Sequence, residues 1–256
     1  MNARIQISQF PLPIEDELKF SISDFLSFLD LTIKEALKFT DKPGILLSGG
    51  VDSALLVILA SKHYSGIPCF VVGQDIKNPD VQAAIRLAKE NKLNLFVNIL
   101  SENEINKIQQ ELKRRINLDA IYPGDECVFA ALELAALKKV TGIIATDGID
   151  EQMGGYWGHR DRNRFPSIKD AFEYFWEELE EKHLCPMERS AKFHNLDINF
   201  VYLLPKVIKH LSLISLEDRI KDGNGKAVWK EIAQIAGVPS WVLKRQKRGF
   251  VDAFNE

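Results

Sequence analysis

Cysteine is scarce in this 256-residue chain: there are three, Cys69, Cys127 and Cys185, widely spaced and with no Cys-x-x-Cys pair. That argues against a disulfide framework and against a thiolate zinc site. No apolar run approaches the roughly 18 residues of a membrane-spanning helix, and the N-terminus lacks the apolar core of a signal peptide. A cytoplasmic protein is expected, with no membrane partner. Charge of one sign is also missing. The 33 Lys and Arg nearly balance the 36 Asp and Glu, leaving a net charge of −3. Nucleic acid is therefore not expected as the main partner. His159, His183, His194 and His210 are scattered, with no i, i+4 pair to hold a metal, and they read as ordinary surface or satisfied residues. There is no internal repeat, no low-complexity segment and no Gly-Lys-Ser/Thr to end a Walker loop.

What remains is 46% hydrophobic and 27% charged. That suits one large globular domain, or one domain with a helical annex, able to bury a core without staples. The stretch around which the chain is organised is Ser48-Gly49-Gly50-Val51-Asp52-Ser53. An apolar strand, Ile45-Leu46-Leu47, precedes it, and an apolar helix, Ala54 to Ala60, follows. Two glycines let backbone N–H groups approach an anion, and the helix start adds its unpaired donors. Ser48 and Ser53 can donate to phosphate oxygens. Asp52 would repel a phosphate unless Mg²⁺ lies between them, and Mg²⁺ is commonly held by one or two carboxylates plus phosphate oxygens. Five fixed positions at roughly 5–7% each match by chance about once in 10⁶ starts.

Around this stretch, strands and helices alternate. Residues 1–40 form an N-terminal segment and leading helix, with an irregular entry marked by Pro11 and Pro13. Residues 41–156 hold the α/β core. Its strands are Ile45–Leu47, Pro68–Gly73, Leu93–Leu100 and Ile143–Ala145. Asp80 is expected to cap one intervening helix, and Ser101 with Glu104 forms a capping-box pattern for the next. A further helix is expected over Asp125–Lys139. Such alternation predicts a parallel twisted sheet with helices on both faces, and ligand at the C-terminal ends of the strands. From about Tyr156 onward no strand–helix alternation is expected. Residues 157–256 read as a helical subdomain, with helices near Ser167–His183, Met187–Asn195, Leu204–Leu211 and Lys226–Ala236.

Two further motifs lie at expected cleft positions. Asp147-Gly148-Ile149-Asp150-Glu151 places three acids at the end of the fourth strand. Asp150 there is a candidate second Mg²⁺ ligand opposite Asp52, or else part of a solvated acidic loop. Near the C-terminus runs Lys244-Arg245-Gln246-Lys247-Arg248-Gly249-Phe250. It is either a solvated basic end or the source of a lysine that reaches the cleft and neutralises phosphate charge.

Together these three motifs, in order, resemble the synthetase domain of the asparagine synthetase family, within the PP-loop ATP pyrophosphatases. Its Gly-Glu-Gly-x-Asp-Glu motif, followed by Gly-Gly-Tyr, stands here as Thr146-Asp147-Gly148-Ile149-Asp150-Glu151 and Gly154-Gly155-Tyr156. The tail pattern Lys-x-x-Leu-Arg, Pro, Arg-x-Lys-x-x-Phe is echoed by Lys226-Ala227-Val228-Trp229-Lys230, Pro239 and Arg245 to Phe250. The resemblance implies an adenine nucleotide alpha hydrolase-like fold and an AMP-forming amide ligase that uses ATP and Mg²⁺. It implies that Ser48, Gly49, Gly50, Val51, Asp52 and Ser53 hold pyrophosphate, that Asp52 and Asp150 bind Mg²⁺, and that Lys247 stabilises charge during adenylation. Val72 and Gly73 would meet adenine, Thr146 and Gly148 would line the nucleotide, and Asp147 would accept a proton from the attacking nitrogen.

Departures qualify the substrate. Asp147 is one methylene shorter than the family glutamate, and Thr146 replaces a glycine. The stretch Asp197–Leu204 lacks the family's Arg and Pro. The family's glutaminase nucleophile follows the initiator methionine, whereas residue 2 here is Asn2. The partners expected are therefore a small-molecule carboxylate and ammonia or an amine, with a separate glutaminase and a homodimer as further expectations. Two other readings stay open. One is an adenylating enzyme of sulfur transfer or tRNA modification, for which Cys185 is the credible thiol. The other is a non-catalytic ATP-binding regulatory subunit.

Overall fold

The computed structural model describes residues 10–13, 19–118 and 120–245. Twelve α-helices and seven strands are assigned among them. The core alternates α1 (Ile22–Ala36), β1 (Pro43–Leu46), α2 (Val51–His63), β2 (Pro68–Gly73), α3 (Pro79–Asn91), β3 (Asn94–Ile99), α4 (Glu102–Arg114), α5 (Asp125–Leu137) and β4 (Gly142–Ala145). The short α6 (Ile149–Met153) follows, then a 3-10 turn at Trp157–Arg160 and α7 (Ile168–Leu179). A π-turn at Glu180–Leu184 carries α7 directly into α8 (Cys185–Phe193). After β5 (Asp197–Phe200) come α9 (Pro205–Leu211), α10 (Leu216–Arg219), the hairpin β6 (Ile220–Lys221) and β7 (Asn224–Gly225), α11 (Ala227–Ile235) and α12 (Ser240–Leu243).

Five parallel strands form one sheet in the order β3-β2-β1-β4-β5. Period-two alternation sorts its side chains to two faces. Cys69 and Val71 join Ile45, Leu47 and Ile144 in a core shared with α1, α2, α3 and α11. Phe70 and Val72 point the other way, toward α5 and α4. Both faces are covered, which is why β1, β2 and β4 are buried along most of their length. β1 lies between β2 and β4, so successive connections leave its two sides in opposite directions. A crevice opens at that reversal, beyond the strand C-termini.

Three sequence expectations are corrected. Strands do not stop at Tyr156: β5 pairs in parallel with β4, Gly142 opposite Asp197 and Ala145 opposite Phe200. Four residues of alternating character at a sheet edge give too short a pattern to distinguish from loop. The cap of α3 is Asn78, whose side chain accepts from Asp80 N at 2.8 Å, with Pro79 at the first helical position. Proline's fixed φ and missing donor suit that position and move the start two residues upstream of Asp80. The anticipated break between His183 and Met187 is also absent, because the π-turn absorbs one extra residue without ending the helix. The break at Gly223-Asn224-Gly225 is a hairpin, turned by Asp222 and Gly223 at φ 53° and 72°.

Candidate active site

The Ser48–Ser53 turn follows β1 directly. Gly49 has φ +72° and lies against α3. A Cβ there would come within 2.8 Å of Ala83 Cβ and Asp80 O, so only glycine fits. Gly50 caps α2 without any side-chain bond. The first-turn donors of α2 are thus left to a ligand, at the positive end of its dipole. The Ser48 and Ser53 hydroxyls lie 3.1 Å apart across the turn. Arg245 reaches back from the tail, donating to Gly49 O at 3.3 Å and pairing with Asp80.

The second loop leaves β4 beside it. Gly148 has φ +90° with Leu203 packed against its α-carbon, and Gly154 at φ +69° ends α6. Gln152 donates to Gly148 O and Tyr202 O, both at 3.0 Å. These contacts turn Asp150 back toward the first loop. Asp52 and Asp150, from separate loops, converge on one cation, Lys226. Its ammonium lies 2.5 Å from Asp52 Oδ2 and 2.8 Å from Asp150 Oδ1. The other Asp52 oxygen accepts the Trp229 indole N–H at 2.9 Å, and its backbone carbonyl accepts the Tyr202 hydroxyl at 3.1 Å. Lys226 is only 4% exposed. Burial alone would push it toward the neutral amine, but Asp150 and Asp52 outweigh this and raise its pKa above the usual lysine value, so it is charged.

Asp147 sits behind this pair. Burial pushes its carboxyl up to about 6, His183 pulls it down, and Glu151 and Asp150 push it further up. The Tyr156 hydroxyl donates to Glu151 Oε1 at 2.7 Å. The Tyr156 ring lies nearly parallel to that of His183, with centroids 6.4 Å apart. His183, read from sequence as ordinary, is brought to the cleft by the π-turn. His159 is fully buried, its imidazole pushed down to about 4 by that burial.

Of the residues singled out by sequence, the structure brings together Ser48 to Ser53, Asp52, Asp150, Asp147, Thr146 and Gly148. Val72 and Gly73 end β2 on the same edge. The Val72 side chain packs in the α4–α5 core, and the Gly73 carbonyl accepts from Leu100 N at 2.8 Å. Lys247 lies outside the described residues. Cys69 and Cys127 are buried, with thiols pushed up to about 12, mainly by that burial. Sequence reasoning missed Trp229, Tyr202 and Arg219 and gave Lys226 no role. The fully buried Arg219 donates to Gln152 O at 2.9 Å, Leu211 O at 3.0 Å and Ile214 O at 3.1 Å, pinning α6 to the helical half. Lys226 and Trp229 carried a signal, their places in the Lys-x-x-Leu pattern, and Tyr202 lies within the Asp197–Leu204 stretch.

Asp52 and Asp150 suit a divalent ion. Two carboxylates completed by phosphate oxygens make a Mg²⁺ donor set, and both already meet on one positive charge. Among the described residues no group of three His, Cys, Asp or Glu could hold a metal unaided. No described helix is long and apolar enough to cross a membrane.

The family model of asparagine synthase matches residues 24–191. A protein of Methanocaldococcus jannaschii named "putative asparagine synthetase 1 (glutamine-hydrolyzing)" is 29% identical over 186 residues, covering 67% of this chain and 34% of its own length. The chain thus spans about a third of that relative. Two solved structures show looser likeness. The NH3-dependent NAD synthetase of Campylobacter jejuni has a TM-score of 0.39 at 18% identity, over 52% of this chain and 60% of that one. The NMN synthetase of Francisella tularensis has a TM-score of 0.39 at 12% identity, over 90% of this chain and 99% of that one.

Proposed function

Because the chain belongs to the asparagine synthase family, whose members are ATP-using PP-loop amide ligases, we propose that it adenylates a carboxylate, releases pyrophosphate and transfers the acyl group to ammonia or an amine. The observation that carries this reading is the convergence of Asp52 and Asp150 on one cation beside the Ser48–Ser53 turn. A mere nucleotide binder needs no paired carboxylates at the pyrophosphate.

In this scheme the substrate carboxylate attacks the α-phosphorus of ATP. The Ser48–Ser53 turn receives the departing pyrophosphate on its backbone donors and serine hydroxyls. Mg²⁺ on Asp52 and Asp150 would neutralise phosphate charge. Lys226 supplies a second positive charge nearby, and Lys247 is proposed to supply a third. Val72 and Gly73 offer the β2 edge to adenine, while Thr146 and Gly148 line the acyl-adenylate. Asp147 takes the proton released when the nitrogen attacks. Its raised pKa keeps it a better base than an ordinary aspartate near neutral pH. The archaeal relative's name points to asparagine formation with hydrolysis of glutamine. The shorter Asp147 and the altered Asp197–Leu204 stretch leave room for another carboxylate.

The test is ATP–pyrophosphate exchange with Mg²⁺ across a panel of carboxylic acids that includes aspartate, with Asp52→Asn and Lys247→Ala as controls. We expect exchange that depends on one acid and is lost in both variants. ATP binding with no exchange for any acid would favour a regulatory subunit instead. Supplying ammonium or glutamine then separates direct use of ammonia from delivery by a glutaminase partner.

A further inference from the structure

The ion pair at the centre of the site is itself unusual. Lys226 is a buried lysine with a left-handed backbone, φ +60°. A non-glycine residue at this φ is uncommon. Its N–H is bonded to Met153 O at 2.9 Å. The chain around it is cut to fit: a Cβ on Gly155 would lie 2.6 Å from Lys226 Cε and overlap Asp150 Oδ1, and a Cβ on Gly225 would overlap Gly154 O. Two glycines and a strained lysine thus bring one ammonium between the carboxylates proposed to hold the divalent ion.

Those two oxygens cannot be much more than about 5 Å apart, since both touch one nitrogen at 2.5 and 2.8 Å. Ligands at 2.0–2.1 Å around Mg²⁺ are at most about 4 Å apart, so a small closure would bring both oxygens onto one ion. The ammonium and the ion cannot share that space. Trp229 holds Asp52 Oδ1, so the oxygen an ion would seek first is the one Lys226 already occupies.

We propose that Lys226 is a resident cation, exchanged for the divalent ion when nucleotide binds. This inference rests on Asp52 and Asp150 being the metal ligands of the proposed ligase. Without nucleotide, loading the ion means pulling a buried ammonium away from the two carboxylates it bridges. With ATP bound at the Ser48–Ser53 turn, the displaced ammonium on its four-carbon stem turns to the phosphates. Metal and ATP therefore strengthen each other's binding, and by linkage the coupling is reciprocal. The device offsets one of the pair's two negative charges while the site waits and makes metal loading conditional on substrate.

The experiment measures Mn²⁺ affinity by the electron paramagnetic resonance signal of the free ion, with and without α,β-methylene-ATP. In the wild type the analogue should tighten Mn²⁺ at least about tenfold, given the size of a like-charge repulsion at this range. In Lys226→Met, Mn²⁺ alone should bind at least about tenfold tighter than in the wild type, and most of the gain from the analogue should vanish. Asp52→Asn should lose the tight ion. Lys226→Met binding Mn²⁺ alone no better than wild type would overturn the proposal, as would unchanged binding in Asp52→Asn. Should Lys226→Met fail to fold, acetylation of the wild-type protein read by mass spectrometry substitutes. Lys226 should be protected when metal-free and label faster with saturating Mn²⁺ in the absence of analogue; equal or slower labelling overturns the exchange. The two readings fail separately. Absent pyrophosphate exchange with intact metal–nucleotide coupling removes the ligase alone, whereas normal exchange with no coupling removes the resident cation alone.

Discussion

At the scale of single residues, Asp147 and Trp229 make opposite contributions. Asp147 holds its proton up to about pH 6 in the folded chain, against an ordinary value of 3.8. Between those two values the folded state binds more protons than the unfolded one, so this group's contribution to stability falls as pH rises through the window and stays low above it. Asp147→Asn should therefore raise the melting temperature at pH 7–8, with the gain disappearing below about pH 4. The same change should spare pyrophosphate exchange and slow amide formation. In the wild type, amide formation should rise with pH through about 6, as the carboxylate ionises. A variant that is both less stable and fully active would refute this. Trp229 is the reverse case, because its indole N–H satisfies a carboxylate that is mostly buried. Trp229→Phe removes the donor together with the indole's second ring from a fully buried site, and the hydrogen bond to a charged group alone is worth about 1.5–3 kcal/mol. Stability should drop by that order, and the Mg²⁺ concentration for half-maximal exchange should rise. An unchanged Mg²⁺ requirement would reduce Trp229 to packing. A leucine, as in the family's Lys-x-x-Leu pattern, could not make this bond.

At the scale of elements, the site depends on how tightly two loops close. Gly155→Ala inserts a carbon where Asp150 Oδ1 and Lys226 Cε already lie. A displacement near 1 Å in a reacting constellation costs on the order of 100-fold in rate, and that loss is expected in exchange. Far-ultraviolet circular dichroism should stay native, since the clash is confined to the α6 turn. A variant with near-normal exchange would show that Asp150 is not needed where it lies. Much of this element structure was legible in sequence. The capping box of α4 is present as written, Ser101 accepting from Glu104 N and Glu104 reaching back to Ser101 N. β2 runs over the residues its apolar pattern marked. Local chemistry sets these features, so a local reading finds them. β5 and the π-turn were not legible. The first is four residues paired on one side, and the second differs from an α-helix only in which carbonyl each N–H meets. The facing of the β1 and β4 loops could be anticipated, because adjacent parallel strands end on one edge. The cation between those loops could not. Lys226 is 174 residues from Asp52, and nothing in the spacing of a basic residue indicates which carboxylates it will meet.

At the scale of the molecule, the cleft is a junction between distant parts of the chain. The Ser48–Ser53 turn comes from the first quarter, Asp147 and Asp150 from the middle, and Lys226, Trp229 and Arg245 from the last tenth or so. A ligand that bridges these groups must stabilise the whole fold rather than one loop. Binding at 100 times Kd adds about 2.7 kcal/mol. For a domain of this length, 1 kcal/mol moves the melting temperature by about 2–4 °C. α,β-Methylene-ATP with Mg²⁺ should therefore raise it by roughly 5–10 °C in a single transition. Hydrogen exchange should slow in α11 as well as in α2, although α11 is remote in sequence from the phosphate turn. The shift should shrink sharply with chelator and in Asp52→Asn, because each removes the charge that joins the two loops across the phosphates. An equal shift without the divalent ion would mean that nucleotide is held by the turn alone. Protection confined to α2 would mean that Lys226 and Trp229 do not take part in binding, and the helical half would then be only a cover for the sheet.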